Sequence, residues 1–100
     1  MHYLFTYGTL QDLSIQKQVF GRTLAGIQDV LYGYRISLEK IMGKYLVIEK
    51  ATNKESKIEG IVFELQDSEL LKVDLYEGEA YKKIKVVLKS GKSAWVYIRA

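Results

Sequence analysis

The 100-residue chain has no cysteine, no proline and only one histidine. Without cysteine there is no disulfide framework, no thiolate nucleophile and no thiolate metal site. The single histidine, His2, cannot build a zinc or iron centre without several carboxylates, and nothing in the sequence sets a Ser-His-Asp relay around it. It reads as a strand-edge residue. Without proline, turns fall to Gly, Asn, Asp and Ser. Long apolar runs are also missing: the longest is a few residues, whereas a spanning helix needs about 20. The opening MHYLFTYGTL has no basic lead before an apolar segment and no small-residue cleavage pattern, so no export signal is expected. These absences predict a cytoplasmic protein with no membrane partner and no metal site. For proton transfer they leave a carboxylate, a lysine or a tyrosine.

What is present suits one small globular domain over residues 1–100. Apolar residues make up 48% and charged residues 27%, and a compact chain of this length has a radius of gyration of about 13 Å. The formal net charge is +3, from 15 Lys+Arg against 12 Asp+Glu. Lysine supplies most of the bases, and the arginines, Arg22, Arg35 and Arg99, are far apart. Nucleic-acid binders concentrate basic charge and favour arginine's bidentate fork. The densest basic stretch, Tyr81 to Lys85, reads instead as the solvated face of a lysine-guarded edge strand. No nucleic-acid partner is expected. The eight tyrosines suit strands that bury a ring and keep the hydroxyl wet, the alternative being a stacking platform for single strands.

Along the chain, His2 to Thr6 predicts a buried strand. Asp12 can cap a short helix from Leu13 to Phe20, stopped by Gly21. Thr23 to Leu38, with glycines at 26 and 33, predicts one bent strand or two short ones. Tyr45 to Glu49 and Lys57 to Leu65 predict further strands. Asp67 is the expected N-cap of a second helix running to about Tyr76, with Gly78 as its stop. Tyr81 to Leu88 and Ser93 to Ile98 predict a hairpin turning through Lys89 to Lys92. The fold class expected is α+β: five to six strands with two short helices, the sheet closing on itself as a small mixed β-barrel.

Two segments stand out chemically. In Tyr7-Gly8-Thr9-Leu10 a strand runs through a glycine turn into a helix start, which exposes several backbone N–H groups in one concavity, a place that binds anions. The same pattern also serves as a plain structural turn. In Val73 to Tyr81, helical spacing puts Leu70, Asp74 and Glu77 on nearly one line, so two carboxylates continue the line of a core-facing leucine. Glu77 also stands at the helix C-terminus, where the macrodipole disfavours an anion by roughly 0.3–1 kcal/mol. An acid against apolar surface has a raised pKa, as a proton-shuttling base requires. The alternative is a pair of solvated rim residues.

Together, FTYGTL near the start and LKVDLYEGEAYKKIKV some seventy residues on resemble the γ-glutamyl cyclotransferase-like family. The likeness is greatest to its short branch, the γ-glutamylamine cyclotransferases and their plant avirulence-induced relatives. It runs over nearly the whole chain, including the strand Lys57 to Leu65 and the closing hairpin. The resemblance implies a closed mixed barrel flanked by helices and a transferase without cofactor. Its substrate would be a γ-glutamyl compound that cyclises to 5-oxoproline and releases an amine. By position, the family's Tyr-Gly-Ser/Thr turn falls on Tyr7, Gly8, Thr9 and Leu10, whose backbone would hold the γ-glutamyl moiety. Its catalytic glutamate falls on Glu77 rather than Glu79, and its next tyrosine on Tyr81, lining the pocket. The chain departs from the family's frequent Tyr-Pro step in the middle strands, having Lys44-Tyr45-Leu46. A second reading from another class is a non-catalytic module of the same fold that binds a small carboxylate.

Overall fold

The computed structural model describes residues 1–43 and 45–100; Lys44 lies outside the described residues. The elements are β1 (His2–Thr6), α1 (Leu13–Phe20), β2 (Gly26–Tyr32), β3 (Tyr34–Ile36), β4 (Ile48–Lys50), β5 (Lys57–Leu65), α2 (Asp67–Glu77), β6 (Tyr81–Val87) and β7 (Ser93–Arg99), with a 3-10 turn at Thr9–Gln11. Five strands form one sheet in the order β2-β5-β1-β7-β6, and β3 and β4 form a separate pair. All neighbours pair antiparallel except β1 and β7.

The expected closed barrel is not formed. Gly33, at φ +83°, turns the chain out of the main sheet after β2, so the next stretch leaves as β3 and pairs only with β4. The main sheet keeps two edges, β2 and β6, with no ladder between them. Its curl brings the β6–β7 turn to β2: Lys89 N–H donates to the Val30 carbonyl at 2.9 Å, and Ser90 Oγ donates to Asp29 at 2.5 Å. A barrel needs strand number, tilt and stagger to agree. Here the would-be closing strand has been diverted into the small pair.

Alternation along the central strands sorts side chains to two apolar layers. On one face Leu4, Phe63 and Leu65 meet Leu70 and Val73 of α2 and Phe20 of α1; on the other Phe5 and Val62 pack with Leu31, Ile48 and Val96. Both helices end as their sequences predict, at Gly21 (φ +74°) and Gly78 (φ +73°), conformations that favour glycine. The start of α2 differs. Gln66, not Asp67, is the N-cap, because Glu69 reaches back to the Gln66 N–H in a capping box. Glu69 is only 7% exposed, and Arg22 grips it with two hydrogen bonds of 2.8 and 2.9 Å, so tertiary pairing selects that cap. His2 does lie on the strand and meets Asp67 at 2.5 Å.

One buried polar residue has no signature in the sequence. Gln16 is 1% exposed; its Nε2 donates to the Leu10 carbonyl and its Oε1 accepts from Leu24 N–H, both at 2.8 Å. It ties α1 to the end of the Tyr7–Leu10 turn. Replacing it with leucine leaves two backbone groups unpaired in the core, each costing about 1–3 kcal/mol. Gln16→Leu is therefore expected to lower the melting temperature by roughly 10 °C or more, since each kcal/mol is about 4–8 °C in a domain this size. A thermal scan checks it.

Candidate active site

β1 delivers the Tyr7–Leu10 turn to the end of the sheet where α2 stops. The turn is held from behind: Gln11 Nε2 donates to the Thr6 carbonyl at 2.9 Å, Thr6 Oγ1 donates to the Ile61 carbonyl at 2.9 Å, and Gln16 holds Leu10. Gly8 takes φ −137° and ψ −140°, and a Cβ there would meet nothing within 4 Å. The glycine thus leaves open room beside the backbone rather than answering a positive φ. Among the described residues, the N–H groups of Gly8, Thr9 and Leu10 find no acceptor.

A cleft of about 540 Å³ opens here, and it gathers Tyr7, Gly8, Thr9, Leu10, Glu77 and Tyr81, the six residues singled out in the sequence. Tyr45, Leu46, Tyr76 and Tyr97 line it too. Tyr76 reaches over the mouth to Thr9, the two hydroxyls 2.7 Å apart. Tyr76 lies within the segment singled out around Glu77, whereas Tyr45, Leu46 and Tyr97 come from other parts of the chain, and only the abundance of tyrosine hinted at two of those three. A second hollow of about 620 Å³ lies beside β2. Although larger, it contains no poised base: its Asp29 carboxylate is satisfied by Ser90 and by the Val30 N–H.

The two carboxylates that helical spacing placed in line have different fates. Burial alone would raise Asp74, but Lys83 (2.7 and 3.0 Å) and the Tyr97 hydroxyl both donate to it and hold its carboxyl below the usual range. Glu77 has no ion pair or hydrogen bond among the described residues, and burial pushes its carboxyl from 4.5 to about 7. Burial with no compensating donor disfavours the charged form. An acid titrating near neutral pH serves well as both base and acid.

Burial also raises the phenols of Tyr7, Tyr81 and Tyr97, and the Glu77 charge adds to the effect in each. Each hydroxyl is engaged. Tyr7 donates to the Tyr97 carbonyl at 2.6 Å, Tyr81 to the Leu46 carbonyl at 2.8 Å, and Tyr97 to Asp74. Among the described residues no group of three or more His, Cys, Asp or Glu side chains is arranged to hold a metal, and no helix is long and apolar enough to cross a membrane.

The sequence pattern of the γ-glutamyl cyclotransferase, AIG2-like, family matches residues 4–100. The chain belongs to this family. No curated protein matches it by sequence. Among solved structures, an Arabidopsis thaliana protein is 23% identical with a TM-score of 0.78, over 98% of this chain and 61% of that one. A γ-glutamyl cyclotransferase is 17% identical with a TM-score of 0.75, over 99% of this chain and 66% of that one. An uncharacterised human protein is 20% identical with a TM-score of 0.78, over 99% and 66% of the two chains. At these identities the likeness is one of fold, and this chain spans about two thirds or less of each of these relatives' lengths.

Proposed function

We propose that the cleft cyclises a γ-glutamyl amine, or a related γ-glutamyl compound, to 5-oxoproline with release of the amine, and that Glu77 is the general acid/base. The observation that carries this reading is an unpaired, half-buried glutamate in one small cleft with a turn whose backbone N–H groups are free. The substrate holds both reactants. Glu77 takes a proton from the α-ammonium, and the neutral amine then attacks the γ-carbonyl carbon and closes a five-membered ring. The carbonyl oxygen becomes an oxyanion in the tetrahedral intermediate. The oxyanion collapses and the bond to the leaving nitrogen breaks as that nitrogen receives the proton from Glu77. The ring nitrogen then gives its surplus proton to the restored carboxylate, leaving the neutral lactam, and that proton passes to the departing amine, which leaves as its ammonium. Holding the chain folded supplies several kcal/mol through proximity. The N–H groups of Gly8, Thr9 and Leu10 are suited to an anion, either the oxyanion or the α-carboxylate.

The test is 5-oxoproline release from a panel of γ-glutamyl amines, γ-glutamyl dipeptides and glutathione, with Glu77→Gln alongside. Turnover of at least one member, lost in the folded variant, is the expected result. No turnover across the panel by a folded protein would overturn catalysis and leave a binding module.

A further inference from the structure

The three phenols around Glu77 share a feature that burial does not explain. A hydroxyl has one proton and two lone pairs, and all three protons are committed to fixed acceptors: the Tyr97 and Leu46 carbonyls and the Asp74 carboxylate. Towards the cleft these oxygens can only accept, and Tyr7 already takes the Ile48 N–H on one lone pair. Two of the three acceptors are backbone carbonyls set by the fold. The third, Asp74, is a side chain, itself fixed by Lys83 at 2.7 Å, whose ammonium also lies 5.5 Å from the centre of the Trp95 ring.

The remaining charge around the cleft fits the same pattern. The Glu77 charge is felt by Tyr7 from the turn after β1, Tyr81 from β6 and Tyr97 from β7. Tyr81 is influenced in turn by Tyr76, Arg99 and Tyr45, and Tyr97 by Asp74. No cation among the described residues pairs with Glu77. With Glu77 ionised, these four oxygen-bearing side chains offer only acceptors, which suits a ligand group with several N–H donors and a positive charge.

We infer that Asp74, fixed by Lys83, is a positioning residue that holds the Tyr97 hydroxyl as an acceptor, so that Tyr7, Tyr81, Tyr97 and Glu77 form a cage for the substrate's α-ammonium. The inference rests on the γ-glutamyl reading above and deepens it. The cage orients the nucleophilic nitrogen beside Glu77. It also explains why Glu77 is left undonated: a Tyr97 hydroxyl turned towards it would stabilise the carboxylate.

The experiment measures equilibrium binding, so it does not depend on turnover. L-glutamine and glutaramic acid, which lacks only the α-amino group, are titrated into the wild-type protein, Asp74→Ala, Asp74→Asn and Tyr97→Phe. Wild type is expected to prefer glutamine by about 10-fold or more, the worth of a charge-assisted hydrogen bond. The preference is expected to be lost in Asp74→Ala and Tyr97→Phe and retained in Asp74→Asn, which keeps an acceptor oxygen for Tyr97. A ¹³C-detected titration of the Glu77 carboxyl gives the second readout. Its midpoint is expected to fall in Asp74→Ala, where the freed Tyr97 hydroxyl can donate to it, and to stay in place in Asp74→Asn. An equal preference in all four proteins with an unmoved midpoint would overturn the role of Asp74, and equal binding of both ligands by wild type would overturn the cage. Preference without 5-oxoproline release would overturn the catalytic reading alone, and absence of binding by either ligand would overturn both.

Discussion

Glu77→Gln is expected to lower the turnover of any accepted γ-glutamyl compound by about 10²- to 10⁴-fold, the usual contribution of a general acid/base, while stabilising the fold above neutral pH. Both effects come from the same burial. The folded carboxyl titrates at about 7 instead of its ordinary 4.5, so the folded chain favours the neutral form. That contribution is fully present below about pH 4.5 and is lost as pH rises through about 7. At pH 9 the wild-type protein carries a half-buried, undonated charge, which costs up to about 3 kcal/mol when the shift is converted at about 1.4 kcal/mol per unit. Glutamine has nearly the same shape and never ionises. Denaturant unfolding should therefore find the variant equal to wild type at pH 5 and more stable by about 2–3 kcal/mol at pH 9. In the wild-type enzyme kcat/KM should rise with pH on a limb centred near 7 and fall to about 1% of its plateau at pH 5, since only the ionised form is a base. A midpoint near 4.5 would mean that Glu77 is solvated, and the proton-transfer role would fall with it.

Gly60→Ala is expected to destabilise the fold severely, by about 3 kcal/mol or more. A Cβ at this position would lie 2.3 Å from the Thr6 carbonyl oxygen and 2.6 Å from the tip of the Phe5 ring. Neither neighbour can yield easily. Phe5 is 1% exposed, and the Thr6 carbonyl belongs to a strand paired along its length with β5 and also accepts from Gln11. At roughly 4–8 °C per kcal/mol, the melting temperature should drop by about 12 °C or more. Thr6 is the last residue before Tyr7, so the strain is delivered to the candidate site as well. Gly8→Ala is the control: its Cβ meets no atom, so a thermal scan should find it within a few degrees of wild type, with ligand affinity carrying any loss. Equal melting temperatures for both variants would refute the close approach of β5 to the start of the turn.

Much of the local structure was legible because it depends on near neighbours. Asp12 caps α1 through the Ser14 N–H, two glycines end the helices, and alternation marked β5 to the residue. The two segments singled out for chemistry, Tyr7–Leu10 and the end of α2, were visible for the same reason: a glycine turn and a carboxylate at a helix C-terminus are local anomalies. Cap choice already escaped this logic, since Arg22, distant in sequence, fixes Glu69 and moves the N-cap to Gln66. The expected barrel failed on the same ground. Strands can be read singly, but closure depends on where Gly33 sends the chain.

The sequence by itself determined most of the strands, the two short helices and the family, each through short-range patterning or a motif. It expected five or six strands where seven form, and the strand expected from Tyr45 to Glu49 is β4 at Ile48–Lys50, with Tyr45 in a lone bridge to Ile41. Only the tertiary structure decided which acid is left unpaired. Helical spacing put Asp74 and Glu77 on one line with equal claims, and their carboxyls differ because Lys83 and Tyr97, brought in by β6 and β7, neutralise the first and leave the second. Charge pairing acts through space at a few ångströms, and the order of strands in a sheet sets those distances.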